Sequence, residues 1–296
     1  FLVDNGPNTM RYVGNKRGMK SHVHEGGVRA PLWVQWPAQL KPGQTGTEIA
    51  AHIDLMPTIL DACGVKPPSG VKLDGRSLLP LLKGERVAWP DRSIIIQSHR
   101  GNKPTRYHHF MIRDARWKLL HASGFGRENF PGQPRFELYD ILNDPRESKN
   151  QVDDQPEVFA RLKKEYDSWF DDVSSTRPNN YAPPRIHVGS PHENPSVLTR
   201  QDWRGGTWAR DSIGHWELHV ATAGNYDIRL EFDANPTKGS AELKIAGVTK
   251  NSELAAGAKT VEFKGVRLSA GDTQLRSVLS HKDKTRGVYQ VVVTRR

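Results

Sequence analysis

Cysteine is almost absent. One residue, Cys63, stands in 296, which excludes an internal disulfide and any zinc site built from several thiolates. No apolar run approaches the length that crosses a bilayer, so no membrane span is expected. The opening Phe1-Leu2-Val3-Asp4-Asn5-Gly6 has neither a basic n-region nor an apolar h-region, so it does not read as a signal peptide. It reads as the end of a buried strand entering a turn, which leads us to expect a chain cut from something longer. There is no acidic excess and no charge run. Lys and Arg number 43 against 33 Asp and Glu, a net charge of +10. Residues 185–296 carry 17 of the basic and 12 of the acidic residues, so the excess is shared evenly between the halves. Such a balance admits nucleic acid, anionic lipid or anionic polysaccharide and selects none of them.

What is present suits folded protein. Apolar residues make up 36% of the chain, with 8 Trp, 9 Phe and 7 Tyr, and the length suffices for two cores. Phe1-Leu2-Val3 and 31–36 read as buried strands of a mostly parallel α/β sheet, joined by a loop-rich crossing. A helix is expected over 54–63, with Leu55, Ile59, Leu60 and Cys63 as its apolar face and Asp54 as its cap. Short strands follow at 93–97, 110–113, 117–120 and 137–139, with a hairpin turn at Asp114-Ala115-Arg116. A helix over 157–173 carries the stripe Val158, Phe159, Leu162, Tyr166, Trp169, Phe170 and Val173. The small antiparallel sheet is thus expected to be closed by one helix. The polar, Pro-rich stretch 174–185 reads as a linker. Beyond it, 186–296 alternates at period two over 216–220, 226–232 and 288–293, as in a β-sandwich or jelly roll.

Two constellations carry candidate chemistry. Asp4 and Asn5 place two hard oxygen donors at a strand end, suited to calcium or magnesium rather than zinc. The plain alternative is a type I′ turn, for which Asn-Gly is the preferred dipeptide, and taken alone that reading comes first. Lys20, His22 and His24 precede Gly26-Gly27, where backbone approaches closely and a lysine charge can hold an oxyanion. A flexible basic loop explains the same residues when they are considered alone. In the second half Trp216 reads as core, while Trp203 and Trp208 are open between core and stacking on sugar rings.

In order and spacing these segments resemble the sulfatase family, part of the alkaline phosphatase superfamily. The resemblance runs through Phe1-Leu2-Val3-Asp4-Asn5-Gly6-Pro7, Lys20 with Glu25-Gly26-Gly27-Val28-Arg29-Ala30-Pro31, Asp54-Leu55-Met56-Pro57-Thr58-Ile59-Leu60 and Asp74-Gly75-Arg76-Ser77-Leu78. It continues through 113–119 and 137–140 to Asp144-Pro145-Arg146-Glu147, covering about 1–173. It implies Asp4 and Asn5 as ligands of Ca2+, with Mg2+ second, and Lys20 as the catalytic lysine that contacts sulfate. His22 and His24 fall outside the generic family positions: they are substrate-binding candidates, with satisfied loop histidines as the plainer reading that comes first. It also implies a formylglycine nucleophile, export to the periplasm or beyond, and a sulfate ester as substrate; the basic charge and the appended sandwich favour a sulfated polysaccharide over a small aryl sulfate, and nucleic acid is not expected. Phosphodiesterase relatives tend to carry His after the Asp, so Asn5 favours the sulfatase branch.

The family's nucleophile motif, Cys or Ser followed by x-Pro/Ala-x-Arg, does not occur in this sequence. Cys63, before Gly64-Val65-Lys66-Pro67, reads as a packing residue. The chain alone is therefore expected to be inactive, with formylglycine supplied from elsewhere. A non-catalytic polysaccharide-binding protein on a decayed sulfatase scaffold is the alternative from a different class.

Overall fold

The computed structural model describes residues 1–98, 103–126, 132–176, 184–207, 209–234, 237–282 and 284–296. Trp208 and most of the predicted linker, 177–183, lie outside them. The chain divides into two units, Phe1–Ala182 and Pro183–Arg296.

The first unit is organised by four short antiparallel strands, β1 (Ile94–Gln97), β2 (Phe110–Arg113), β3 (Trp117–His121) and β4 (Glu137–Asp140), paired in chain order. Asp114 makes the β2–β3 turn, its Oδ1 accepting the N–H groups of Arg116 at 2.8 Å and Trp117 at 2.6 Å. Because side chains alternate along a strand, each strand serves both faces of the sheet. Phe110, Ile112, Leu119 and Leu138 pack with Leu162, Tyr166 and Phe170 of a long helix, Pro156–Ser174. Met111, Leu120 and Tyr139 point the other way and pack with Val23. Val28, Ile49 and Ala51 add to that second core. The sheet is therefore covered twice, where the pattern predicted a single helix. Val173 is exposed rather than part of the helix stripe.

The remaining helices are short: α1 (Glu25–Val28), α2 (Leu55–Ala62) and α3 (Leu79–Leu82) precede the long helix, which is α4. Three expectations are corrected here. First, 1–3 and 31–36 are not buried parallel strands. Leu2 and Leu32 meet in one antiparallel bridge, and Phe1 and Trp33 exchange backbone hydrogen bonds at 2.7 and 2.9 Å. No third described segment pairs with either, so Phe1 and Trp33 remain exposed. Second, Asp54 makes no cap hydrogen bond with α2. Its carboxylate is buried and grips Arg92 in a two-pronged contact at 2.7 and 2.5 Å, while accepting from the N–H groups of Ala51 and Arg76. Burial opposes its ionisation, but Arg92 and the two N–H groups outweigh that and hold its pKa below the ordinary value. Third, Cys63 is exposed, not packed.

The second unit is a two-sheet sandwich. One sheet orders β10 (Val248–Leu254), β9 (Gly239–Ile245), β12 (Gly271–His281), β7 (His215–Val220) and β5 (Ile186–Val188), with β13 (Lys284–Arg286) on β12. The other orders β11 (Thr260–Leu268), β8 (Gly224–Glu231), β14 (Gln290–Arg295) and β6 (Ser196–Thr199). Inward residues of both, including Leu218, Leu243 and Leu275 facing Ile228, Leu230 and Val293, form one core. Trp216 lies in it, its indole N–H donating to Thr199 O at 2.7 Å. Trp203 is also buried, beside Trp216 and under the Arg200 guanidinium 4.6 Å from its ring, so it presents no free face to a sugar. Among the described residues no helix is long and apolar enough to cross a membrane.

Leu162→Ala, in the centre of the α4 contact, is expected to lower unfolding free energy by about 2–5 kcal/mol. Urea denaturation measures it, and a loss well under about 1 kcal/mol would show that this helix does not close the sheet.

Candidate functional site

The residues predicted to carry chemistry sit in one knotted loop, 4–29. Gly6 N–H donates to Gly27 O at 2.8 Å, Lys20 N–H to Pro7 O at 2.9 Å and Gly26 N–H to Arg17 O at 2.6 Å. The glycines are there because backbone passes against backbone. A Cβ on Gly6 would lie 1.9 Å from Gly26 O, and one on Gly27 would lie 2.2 Å from His22 O. The glycine pair thus admits the chain itself rather than a ligand. Neither Asn5 nor Gly6 has positive φ, which removes the type I′ reading of that dipeptide. The knot fixes Asn5 and Lys20 as parts of one small framework.

A buried charge cluster fastens the knot to the sheet. Lys118 and Glu25 are both fully buried, as is Glu147 within a few per cent. Lys118 Nζ lies 3.1 Å from Glu25 Oε1 and 2.9 Å from Glu147 Oε1. Arg113 donates to both oxygens of Glu25 at 3.2 and 3.0 Å, and Glu147 Oε2 accepts Glu25 N–H at 2.7 Å. Two carboxylates thus meet two cations, and burial's penalty on Glu25 is outweighed by Lys118 and then Arg113, which hold its pKa low. Glu147 reaches this point from a left-handed backbone, φ 55°, in a turn that Asp144 braces by accepting the N–H groups of Ser148 and Lys149. Strand alternation explains the rest: Arg113, Lys118 and Glu137 share the sheet face that Met111, Leu120 and Tyr139 turn toward the loop.

His24 is buried and turned inward, its Nε2 3.6 Å from Glu137 Oε2, beyond hydrogen-bond length but within ion-pair range. Tyr139 donates to the same oxygen at 2.5 Å and Arg17 at 3.1 Å. The facing His24, and after it Tyr139 and Arg17, pull Glu137 down to about 2 against the effect of burial. His109 ties down the far end of the loop. Its Nδ1 accepts Gly124 N–H at 2.9 Å, which leaves the proton on Nε2 to donate to Ser21 O at 2.7 Å. Burial lowers its pKa against the Ser21 bond, and the nearby His108, His22 and His24 lower it further. His22 and Lys20 are exposed beside these anchors.

A cleft of about 540 Å³ opens at Asn5, Gly6 and Pro7, reaching Arg11, Lys16 and Arg29. Asp4 is exposed next to it, and neither its carboxylate nor the Asn5 carbonyl oxygen has a partner among the described residues. The two oxygens suit a hard cation in kind but fall short in number, since calcium takes roughly six to eight. Among the described residues no group of three or more His, Cys, Asp or Glu is arranged to hold a metal.

The family described as N-sulphoglucosamine sulphohydrolase, C-terminal, matches residues 16–171, just over half of the chain. The chain belongs to the sulfatase family. It is 28% identical to the ulvan-active sulfatase of Formosa agariphila over 57% of this chain and 38% of that protein. It is 31% identical to human arylsulfatase A over 55% of this chain and 36% of that enzyme. A third relative, the N-acetylglucosamine-6-O-sulfatase of Bacteroides thetaiotaomicron, is 28% identical over 62% of this chain and 30% of its own length. The chain therefore spans about a third of the length of these relatives.

Seen as part of a sulfatase, most of the motif residues hold structure rather than perform chemistry. The Asp74-Gly75-Arg76 segment lies on the backbone of 53–54, where a Cβ on Gly75 would stand 2.0 Å from Ile53 O. Lys118, Glu147, Arg113, Glu137 and His109 received no individual role from sequence. Their signal was charge inside strands or turns flanked by buried apolar neighbours, as in Trp117-Lys118-Leu119. Removing the Lys118 charge by Lys118→Met is expected to cost about 3–5 kcal/mol, because Glu25 and Glu147 lose their shared cation while buried. Denaturant unfolding would detect it, and a neutral result would show that the cluster is not what secures the loop.

Acid sensitivity follows from His109 and Glu137. The folded His109 ring resists protonation, so its contribution is complete above the ordinary value of 6.5 and shrinks as pH falls below it. That of Glu137 is lost later, as pH falls from 4.5 toward about 2. The Tm is expected to drop from about pH 7 to about pH 5, less steeply in His109→Asn. Parallel profiles would exclude His109 as the source.

Proposed function

We propose that the chain is part of an exported sulfuric ester hydrolase that removes sulfate from a sulfated carbohydrate. The observation that carries this is the family match over 16–171, joined to the knot that fixes Asn5 and Lys20 in one framework. A relative named as an N-acetylglucosamine-6-O-sulfatase supports a sugar as the carrier of the ester. In this reading the Lys20 ammonium, on a backbone pinned at Pro7, holds sulfate oxygen and delivers a hydrogen bond to the departing oxygen. Asp4 and Asn5 supply two of the ligands to calcium, which when bound stabilises negative charge on the transferring group. Formylglycine is the proposed nucleophile. His22, exposed beside Lys20, is a substrate contact, whereas His24 acts on Glu137 from a buried position.

The test uses the complete reading frame, expressed with a formylglycine-generating enzyme, and measures sulfate release from sulfated polysaccharides and aryl sulfate. Lys20→Ala is expected to lower kcat/KM by about 10²–10³. Asn5→Ala should raise the calcium concentration needed for half-maximal activity. Turnover that survives both changes overturns the assigned roles, and phosphodiester cleavage in place of sulfate release overturns the reaction.

A further inference from the structure

The cleft at Asn5 is charged in one sign only. Arg11, Lys16 and Arg29 line it, and no Asp or Glu does. The turn that shapes it has positive φ at both Gly14 and Asn15, 67° and 58°, and is closed by Lys16 N–H donating to Val13 O at 3.4 Å. This is the type I′ pattern, and it brings Lys16 back beside the segment carrying Arg11 and Tyr12. Among the described residues none of the three cations is firmly neutralised. Arg29 stands 3.9 Å from Glu25 with its side chain 59% exposed, and Glu25 is already held by Arg113 and Lys118. Among the described residues Arg11 donates only to the Thr9 hydroxyl, at 3.2 Å. Asp4, the carboxylate nearest in sequence to Arg11, is outside the lining. Three like charges around a cleft of about 540 Å³ repel one another unless an anion lies among them, and the volume falls in the range of small-molecule sites. Tyr12, 82% exposed, presents a ring at the same wall.

We infer that Arg11, Lys16 and Arg29 form a subsite for a second anionic group of the ligand, with the Tyr12 ring as a platform for the sugar between the two charges. The inference rests on the proposed reading in placing the reactive sulfate at Lys20, whose backbone is bonded to the cleft residue Pro7. It narrows the substrate to a polyanionic saccharide, because an ester with a single charge leaves these cations unmatched. Each contact would be charge-assisted and bring geometric selectivity where an arginine meets sulfate or carboxylate in bidentate fashion.

Binding and turnover are read separately. The full-length protein and its Arg11→Gln/Lys16→Gln double variant are titrated with a heparin-type polysulfated oligosaccharide and with a non-sulfated polyuronate of equal length. Arg11 is exposed and Lys16 half-buried at the end of the turn, and neither side chain belongs to a core cluster, so thermal melting should match wild type and certify the fold. The affinity for one or both polyanions is expected to fall about tenfold, with a shallower salt dependence, and the two ligands tell sulfate from carboxylate. In turnover, the ratio of kcat/KM for the polysulfated oligosaccharide over that for 4-nitrophenyl sulfate should fall by a similar factor. Unchanged affinity for both polyanions overturns the subsite, whatever the turnover. Weakened binding in a protein that releases no sulfate from any ester leaves the subsite standing and removes the sulfatase reading instead.

Discussion

The first unit depends on the pairing of Glu25 with Lys118. Both side chains are buried, and an unpaired charge at that depth is among the most expensive defects a fold can carry. The cation is shared with Glu147 and the anion with Arg113, so four charges from three separate stretches of chain, the loop, the β2–β3 hairpin and the turn after β4, must arrive together. That requirement locks the loop 17–29 onto one face of the sheet while α4 occupies the other. Apolar packing of Val23 against Met111 and Leu120 supplies attraction without direction. The ion pairs and their hydrogen bonds supply the register.

From this anchor the candidate site follows as a matter of support. Gly26 and Gly27, inside α1 directly after Glu25, let 6–7 and 17–22 close against them, so the backbone carrying Asn5 and Lys20 is held by hydrogen bonds at both ends. His24 and His109 brace the same loop from within, one through Glu137 and one through Ser21. Asp4, Lys20 and His22 are among the side chains left exposed on it, where they can meet a ligand. Rigidity beneath and exposure above is the arrangement a precise anion site requires.

The second unit solves a different problem with the same economy. Its core is apolar and continuous between two sheets, and Ser277 Oγ is one of the few buried polar atoms left there without a hydrogen-bond partner among the described residues. Arg200 is satisfied: nearly buried, it donates to the carbonyls of Val288 and Ala209 and lies over Trp203. The indole thereby becomes part of the wall that closes one end of the sandwich.

Sequence by itself determined the small sheet, its long helix and three strands of the sandwich, though not the two strands expected at 1–3 and 31–36. The four strands of the small sheet, the amphipathic helix 156–174 and the alternation over 216–220, 226–232 and 288–293 are set by periodicity, which local geometry reads directly. The ordered motifs were equally legible as a sulfatase series. Tertiary structure alone decided what most of those motif residues do. Charge in a strand does not reveal whether it will meet a partner at a separation of 93 residues, as Lys118 does with Glu25. Nor does an Asn-Gly or Gly-Gly pair disclose whether its glycine answers to a turn, a ligand or another backbone; here it is backbone, at Gly26 O and His22 O. The same holds for Asp54, whose position suggested a helix cap and whose surroundings made it the partner of Arg92. Periodicity is a property of neighbours along the chain, whereas charge pairing and close backbone approach belong to segments that meet only once the chain has folded.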